Sequence, residues 1–313
     1  MKQRPFHQVD VFTAVPYFGN PLAVVLDGSG LDDAAMQHFA QWTNLSETTF
    51  LLPPTEAGHA AGADYRVRIV TPGGELPFAG HPTLGSCHAW LAAGGKPQAD
   101  DLIVQECGVG LVRLRRVNGR LAFAAPPLTR SAPEPVLLAQ VITALGLTPA
   151  QVLAAQMLDN GPCWLSLLLD NPDTLTALTP DHARLKNLEQ KVGVASVIRF
   201  KSAIHLISKS SREARAFAAT NAQTATSDAA TGPDLLVRAF AAPIGVNEDP
   251  VTGSLNASLA QWLIADGHLP PSYVASQGQA LGRDGHVHIS QGADGQIWVG
   301  GAVVTCITGQ VAL

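Results

Sequence analysis

Glu75-Leu-Pro-Phe-Ala-Gly80-His81 returns later in the chain as Glu248-Asp249-Pro-Val-Thr-Gly253-Ser254, one E-x-P-x-x-G pattern written twice. Each copy opens a run of small and apolar residues, His81-Pro-Thr-Leu-Gly-Ser-Cys-His-Ala-Trp-Leu-Ala-Ala-Gly94 and Ser254-Leu-Asn-Ala-Ser-Leu-Ala-Gln-Trp-Leu-Ile-Ala-Asp-Gly267. Such residues nearly all round predict a buried helix rather than an amphipathic surface one, and the closing Gly is a stop signal. Upstream lie Arg68-Ile-Val-Thr-Pro72 and Arg238-Ala-Phe-Ala-Ala-Pro243, apolar segments that carry an Arg and end in Pro. The repeat therefore predicts two similar halves, each a set of strands wrapped around one central helix. A helix N-terminus exposes unpaired N–H groups and the positive pole of the dipole, which suits an anion. Two of them facing across a cleft would hold a carboxylate-bearing small molecule.

With 313 residues the chain has room for two domains with cores of their own. A net charge of -5 with 14% charged residues leaves no basic footprint for nucleic acid or an anionic membrane. No uninterrupted apolar stretch reaches membrane-spanning length, and Met1-Lys-Gln-Arg-Pro5 lacks a signal-peptide core, so the expected location is the cytoplasm. Cys87, Cys107, Cys163 and Cys306 lack C-x-x-C spacing, so they read as small buried hydrophobes rather than a zinc or redox set.

Along the first half, Phe6–Phe12 and Leu22–Leu26 read as strands around a Gly19-Asn20-Pro21 turn, followed by a covering helix over Leu31–Trp42. Strands follow at Glu47–Leu52, Tyr65–Val70, Leu102–Val104, Gly110–Arg115 and Leu121–Ala124. The Pro-rich stretch from Ala125 to Pro135 is the candidate linker, dividing domains at residues 1–130 and 131–313, with the C-terminal strand able to pack back on the first. In the second half, strands are expected at Cys163–Leu169, Ala195–Phe200, Ile204–Ile207 and Leu235–Phe240. The Ser/Thr/Ala-rich stretch from Ser208 to Gly232 reads as a surface excursion.

Glu47 is the one acidic residue at the entrance of a strand otherwise built of hydroxyl and apolar side chains. Desolvation there disfavours the charged form and raises the carboxyl toward the range useful for general acid/base work. The competing reading is a solvated strand-end residue or a cap. Asp249 and Ser254 flank one helix entrance, and Gly80-His81 occupies the other, so a carboxylate, a hydroxyl and an imidazole could position a substrate and relay a proton. Capping by Ser254 and Asp249, with His81 bound to a backbone carbonyl, is the plainer account. It explains either helix but not the matched pair. His286 and His288 share a face of a strand without a third ligand nearby, which disfavours a metal. Gly28-Ser-Gly30 and Gly282-Arg-Asp-Gly285 read as turns, and no G-x-S-x-G elbow is present.

In these residues the chain resembles the phenazine-biosynthesis PhzF-like family, which has the diaminopimelate epimerase-like fold. The matching segments are Asp10-Val-Phe-Thr, Gly19-Asn-Pro, Asn44-Leu-Ser-Glu-Thr-Thr-Phe, Thr71-Pro with Pro77-Phe-Ala-Gly-His-Pro-Thr-Leu-Gly, Glu248-Asp-Pro-Val-Thr-Gly-Ser, and Gln277-Gly with Gly282-Arg. The resemblance implies an α/β (α+β) architecture of two similar domains, each a curved mixed sheet around a central helix. It also implies a homodimer, and catalysis without cofactor or metal on a small carboxylate substrate. By the same resemblance Glu47 matches the general acid/base. His81, Asp249 and Ser254 match residues that orient substrate and complete the proton-transfer network. Gly80 and Gly253 supply backbone donors, and Asn20 and Thr252 are expected at the substrate.

Related epimerases of this fold carry a thiol before the Gly of each helix entrance. Here those positions are Ala79 and Thr252, which excludes a two-thiol racemase and suits an isomerisation by one carboxyl base. The best-known family reaction isomerises a dihydro-hydroxyanthranilate, and membership does not settle the substrate. Relative to the family, Arg238–Pro243 carries an extra residue and the stretch from Ser208 to Gly232 looks inserted. The expectation is a cofactor-independent proton-transfer isomerase. The alternatives are a carboxylate-binding protein without catalysis, which would not exchange substrate hydrogen with solvent, and a lyase or hydratase, which would change product mass.

Overall fold

The computed structural model describes residues 1–99, 101–117, 119–198 and 232–313. The first half runs β1 (Gln3–Val11), β2 (Asn20–Val25), α1 (Asp33–Thr43), β3 (Thr48–Leu52), α2 (Glu56–Ala60), β4 (Tyr65–Thr71), β5 (Gly74–Leu76), α3 (Gly80–Ala92), β6 (Ile103–Cys107), β7 (Gly110–Val117) and β8 (Arg120–Ala124). The first half ends in β9 (Thr129–Ser131), and the second runs α4 (Pro135–Ala144), β10 (Val152–Asp159), β11 (Cys163–Leu169), α5 (Pro172–Thr176), α6 (His182–Asn187), β12 (Lys191–Val197), β13 (Leu235–Ala241), β14 (Val246–Asp249), α7 (Gly253–Ala265), β15 (Ser272–Gln277), β16 (Gly285–Gln291), β17 (Ile297–Gly301) and β18 (Val303–Ala312).

Pairing follows one rule in both halves. In the first, β1 runs antiparallel to β2, β2 parallel to β3, β3 antiparallel to β4 and β4 parallel to β6, after which β6, β7 and β8 form a meander. In the second, β10, β11, β12, β13, β15, β16 and β17 take the same steps in the same order. The halves then exchange partners, because β9 pairs with β10, β18 returns to pair with β1, and β8 lies against β17. The result is two similar halves, as the repeat predicts, in the mixed-sheet α/β architecture that the family resemblance implies.

The central helices are α3 and α7. His81 through Cys87 of α3 and Gly253 through Ala260 of α7 are buried on every side, and their apolar residues belong to one continuous core. Small residues let them sit this deep: a Cβ on Gly85 would come 2.6 Å from the Leu22 side chain. Amphipathic helices close the outer faces, with Met36 and Phe39 of α1 over the first sheet and Val141 and Ile142 of α4 over the second.

Several boundaries differ from the sequence reading. Residues 125–135 are not a plain linker, since β9 forms inside them. The strand expected at Ala195–Phe200 is β12, which begins at Lys191 and ends at Val197. Alternation begins earlier than expected because Val192 and Val194 face one core and Ala195 and Val197 the other. The sequence pattern does not mark β10 or α4: β10 is mostly half-buried, and α4 is apolar on more than its packed face. The strand expected at Ile204–Ile207 and nearly all of the stretch from Ser208 to Gly232 lie outside the described residues. Cys87 is buried, whereas Cys107, Cys163 and Cys306 are only partly so.

Candidate active site

The N-termini of α3 and α7 meet head to head. A Cβ built on Gly80 would lie 2.8 Å from the Gly253 Cα, and one on Gly253 would lie 2.9 Å from the Gly80 Cα, so only glycine permits the approach. The N-cap residues are Ala79 and Thr252, and neither makes a side-chain capping bond. The first N–H groups of a helix have no partner within it. Both dipoles thus direct their positive ends into one cleft of about 720 Å³.

All eight predicted site residues line this cleft. Glu47, placed just before β3, His81 in the first turn of α3, Asp249 at the end of β14 and Ser254 in α7 are brought together with Asn20, Gly80, Thr252 and Gly253. Asn20 links the halves: its Nδ2 donates to the Asp249 carboxylate at 2.9 Å and to the Val251 carbonyl at 2.9 Å, and approaches His81 Nδ1 at 3.3 Å. The Thr252 hydroxyl donates to the other Asp249 oxygen at 2.5 Å. Gln277 holds this turn, accepting from Thr252 N at 3.0 Å and donating to Thr252 Oγ1 at 2.9 Å. Trp164 Nε1 donates to Ser254 Oγ at 3.3 Å, leaving the Ser254 hydroxyl proton for another acceptor.

On the other side of the imidazole, Glu47 Oε2 lies 3.4 Å from His81 Nε2. The two atoms are within ion-pair reach but not aligned as a hydrogen bond, and neither has another partner. Such contacts tighten when substrate arrives. Burial raises Glu47 above the ordinary carboxylate range, with Ser46 and Lys191 pulling weakly the other way. Burial also pushes Asp249 up to about 6, and it drives His81 down to about 4 against the attraction of Asp249 and Asp10. At neutral pH Asp249 is then a carboxylate and His81 a neutral imidazole.

Neither plain alternative for these residues describes the site. Ser254 and Asp249 are not N-caps, and His81 meets a side-chain amide rather than a backbone carbonyl. The glutamates of the repeated motif do not line the cleft. Glu75 is held by Arg68, whose Nε donates at 2.8 Å, and Glu248 by Arg238 through bonds of 2.9 and 2.8 Å. Arg and Glu are both visible in the repeat, but their pairing needs the register of β4 with β5 and of β13 with β14.

Lys191, Trp164 and Asn160 also line the cleft. No motif marks them, and Lys191 in particular looks like any charged residue before a strand. His286 and His288 lie on β16, and no group of three or more His, Cys, Asp or Glu among the described residues is placed to hold a metal. No helix among those residues is long and apolar enough to cross a membrane.

Known proteins resemble this chain in sequence and in fold. A profile described as phenazine biosynthesis-like protein matches residues 9–309. The chain is 33% identical to antisense-enhancing sequence 1 of Schizosaccharomyces pombe, over 99% of each protein. It is 37% identical to trans-2,3-dihydro-3-hydroxyanthranilate isomerase of Pseudomonas fluorescens, over 57% of this chain and 62% of that one. A crystal structure of a Bacillus anthracis phenazine biosynthesis protein of the PhzF family superposes with a TM-score of 0.77 at 20% identity, covering all of both chains.

Proposed function

The chain belongs to the phenazine biosynthesis-like protein family and is an isomerase, and from that premise we propose a cofactor-independent proton transfer on a small cyclic carboxylate with Glu47 as the general base. The observation that carries this reading is the placement of the Glu47 carboxylate, its side chain only 15% exposed, against His81 at the meeting point of two helix N-termini.

The substrate carboxylate sits at the N–H groups of Gly80, His81, Gly253 and Ser254. The Glu47 carboxylate takes a proton from a carbon conjugated with that carboxylate, and the electron pair spreads onto the carboxylate oxygens. Charge thus develops where the helix dipoles and N–H groups already point, which lowers the barrier without reorganisation. Glu47 then returns the proton to a different carbon, and the double bond moves. A base with a raised pKa suits both halves of this exchange, because it accepts a proton near neutral pH and also gives it back.

Asn20 supports one role for His81. Its Nδ2 is a donor, so a proton on His81 Nδ1 would face another donor; the neutral ring therefore carries its proton on Nε2, the nitrogen 3.4 Å from Glu47 Oε2. The reversed Asn20 amide would set an oxygen against Asp249 and the Val251 carbonyl, which excludes it. Asp249 holds Asn20 and so acts through it as a positioning residue, while Ser254 offers its hydroxyl proton to the substrate.

Inversion by two thiols has no support, since Ala79 has only a methyl group and the Thr252 hydroxyl is committed to Asp249. None of the four cysteines lines the cleft. The location we assign is the cytoplasm and the assembly a homodimer, which light scattering would read directly. The functional test offers trans-2,3-dihydro-3-hydroxyanthranilate and a panel of small cyclic carboxylates, and looks for a product of unchanged mass with a moved double bond. A lighter or hydrated product would instead make the enzyme a lyase or hydratase.

A further inference from the structure

Lys191 opens β12 directly across from Trp164 of β11, in the parallel register of those strands. Its ammonium lies 5.8 Å from the centre of the Trp164 ring, whose other edge reaches Ser254 through Nε1. One indole thus separates the lysine from the end of α7, and both line the same cleft. The side chain is half-buried, and among the described residues it makes no ion pair. Its charge senses Glu47 and Asp249 across the cavity without bonding to either.

Removing an ammonium from water is costly unless something anionic replaces the solvent. Glu47 and Asp249 do not do so directly, because Glu47 faces His81 and Asp249 is taken up by Asn20 and Thr252. The helix ends, meanwhile, already supply a place for one carboxylate. The cleft therefore holds two anion-accepting positions, one at the helix ends and one at Lys191, with the buried Trp164 indole fixing the distance between them.

We propose that Lys191 binds a second anionic group of the substrate, so that this enzyme acts on a small cyclic dicarboxylate rather than a monocarboxylate. This rests on the reading of the cleft as the substrate site. It adds that one carboxylate docks at the ends of α3 and α7 and the other at Lys191.

The test measures binding, by calorimetry, of cyclohexene dicarboxylates in their 1,2, 1,3 and 1,4 forms, each beside its half methyl ester. Wild type should bind at least one diacid about tenfold more tightly than its half ester, the magnitude of a charge-assisted hydrogen bond. Lys191→Met should erase that preference while leaving half-ester affinity within about twofold, and Lys191→Arg should restore it. Circular dichroism and thermal melting of both variants separate lost recognition from lost folding.

A diacid preference that survives Lys191→Met would overturn the proposal, as would the absence of any diacid binding to wild type at millimolar concentration. A Lys191→Met protein that fails to fold leaves the comparison of diacid with half ester in wild type and in Lys191→Arg to decide. If the lysine only balances the charges of Glu47 and Asp249, Lys191→Met would shift the pH profile and leave the ratio of diacid to half-ester affinity unchanged, which also contradicts it. These readouts need no turnover. A failed Glu47 mechanism and a failed Lys191 assignment are therefore distinguishable, and Glu47→Gln should keep the diacid preference.

Discussion

Asp249 and His81 share a network yet respond to acid in opposite senses. Asp249 has a folded pKa raised to about 6, so its contribution to stability is present below the unfolded value and is lost as pH rises through about 6. His81 has a folded pKa depressed to about 4, so its contribution is present above the unfolded value of roughly 6.5 and is lost as pH falls toward 4. Each amounts to a cost on the order of 3 kcal/mol at full extent, and between pH 4 and 6 their opposite slopes with pH largely cancel. Asp249→Asn should therefore melt higher than wild type at pH 7.5 and lose stability more steeply with acid, while turnover drops; a lower melting temperature at pH 7.5 would contradict the assignment. For catalysis the sign is set by the base. The acid limb of the rate should lie above the ordinary carboxylate range, because Glu47 must be ionised and burial raises it. A limb at pH 4 or below, read from kcat/KM against pH, would remove Glu47 from that role. His81, Asp249 and Ser254 are legible in the sequence because they lie in short motifs around glycine and proline, and Glu47 because it is the one acidic residue at the entrance of a hydroxyl-rich apolar strand. Lys191 is not, because what makes it notable is its place in the cleft beside Trp164, which only the fold creates.

The repeated motif builds its two helix entrances from the same parts in different surroundings. Arg238 and Glu248 have side chains only 8% and 6% exposed, whereas those of Arg68 and Glu75 are 23% and 44% exposed. Breaking a buried pair strands a charge and costs about 3–5 kcal/mol, while an exposed pair is worth about 0–1 kcal/mol. Glu248→Gln should thus destabilise strongly and Glu75→Gln barely, as denaturant melts would show; equal effects would mean that the deeper pair is solvated. The glycines at the entrances act through sterics. Gly80→Ala or Gly253→Ala places a methyl group against the opposing backbone at under 3 Å, so the two helix ends must part. We expect a loss of about 1–3 kcal/mol of stability and about a hundredfold of rate, since misplacement near 1 Å suffices for the latter. Wild-type kcat/KM in either variant would mean that the two helix ends do not form a shared anion site.

In the molecule as a whole, the internal repeat is readable from the chain, but its consequence for the sheet is only partly so. E-x-P-x-x-G and the apolar helices after it announce two similar halves because a buried helix needs small residues wherever it occurs. The exchange of β9 and β18 between halves leaves little trace in periodicity: β9 is three exposed residues, and β18 is half-buried to exposed along its length. We divide the domains at residues 1–130 and 131–313, and the exchange makes them interdependent. β1 is hydrogen-bonded to β18 from Gln3 to Val11, and β8 to β17, so a fragment ending at residue 130 would present unpaired edges. Such a fragment should aggregate or remain unfolded alone and gain structure on mixing with residues 131–313. A fragment that folds alone as a monomer, by sedimentation and circular dichroism, would contradict this interdependence.

The central claim is that Glu47 moves a proton within the cleft formed by α3 and α7. Proton NMR in deuterated buffer tests it most directly, with wild type and Glu47→Gln compared on whichever carboxylate binds. The account predicts deuterium at the carbon that regains the proton, or movement of the double bond, with wild type alone, while Glu47→Gln binds the same compound without exchange. Equal exchange by Glu47→Gln would contradict it and place the base elsewhere.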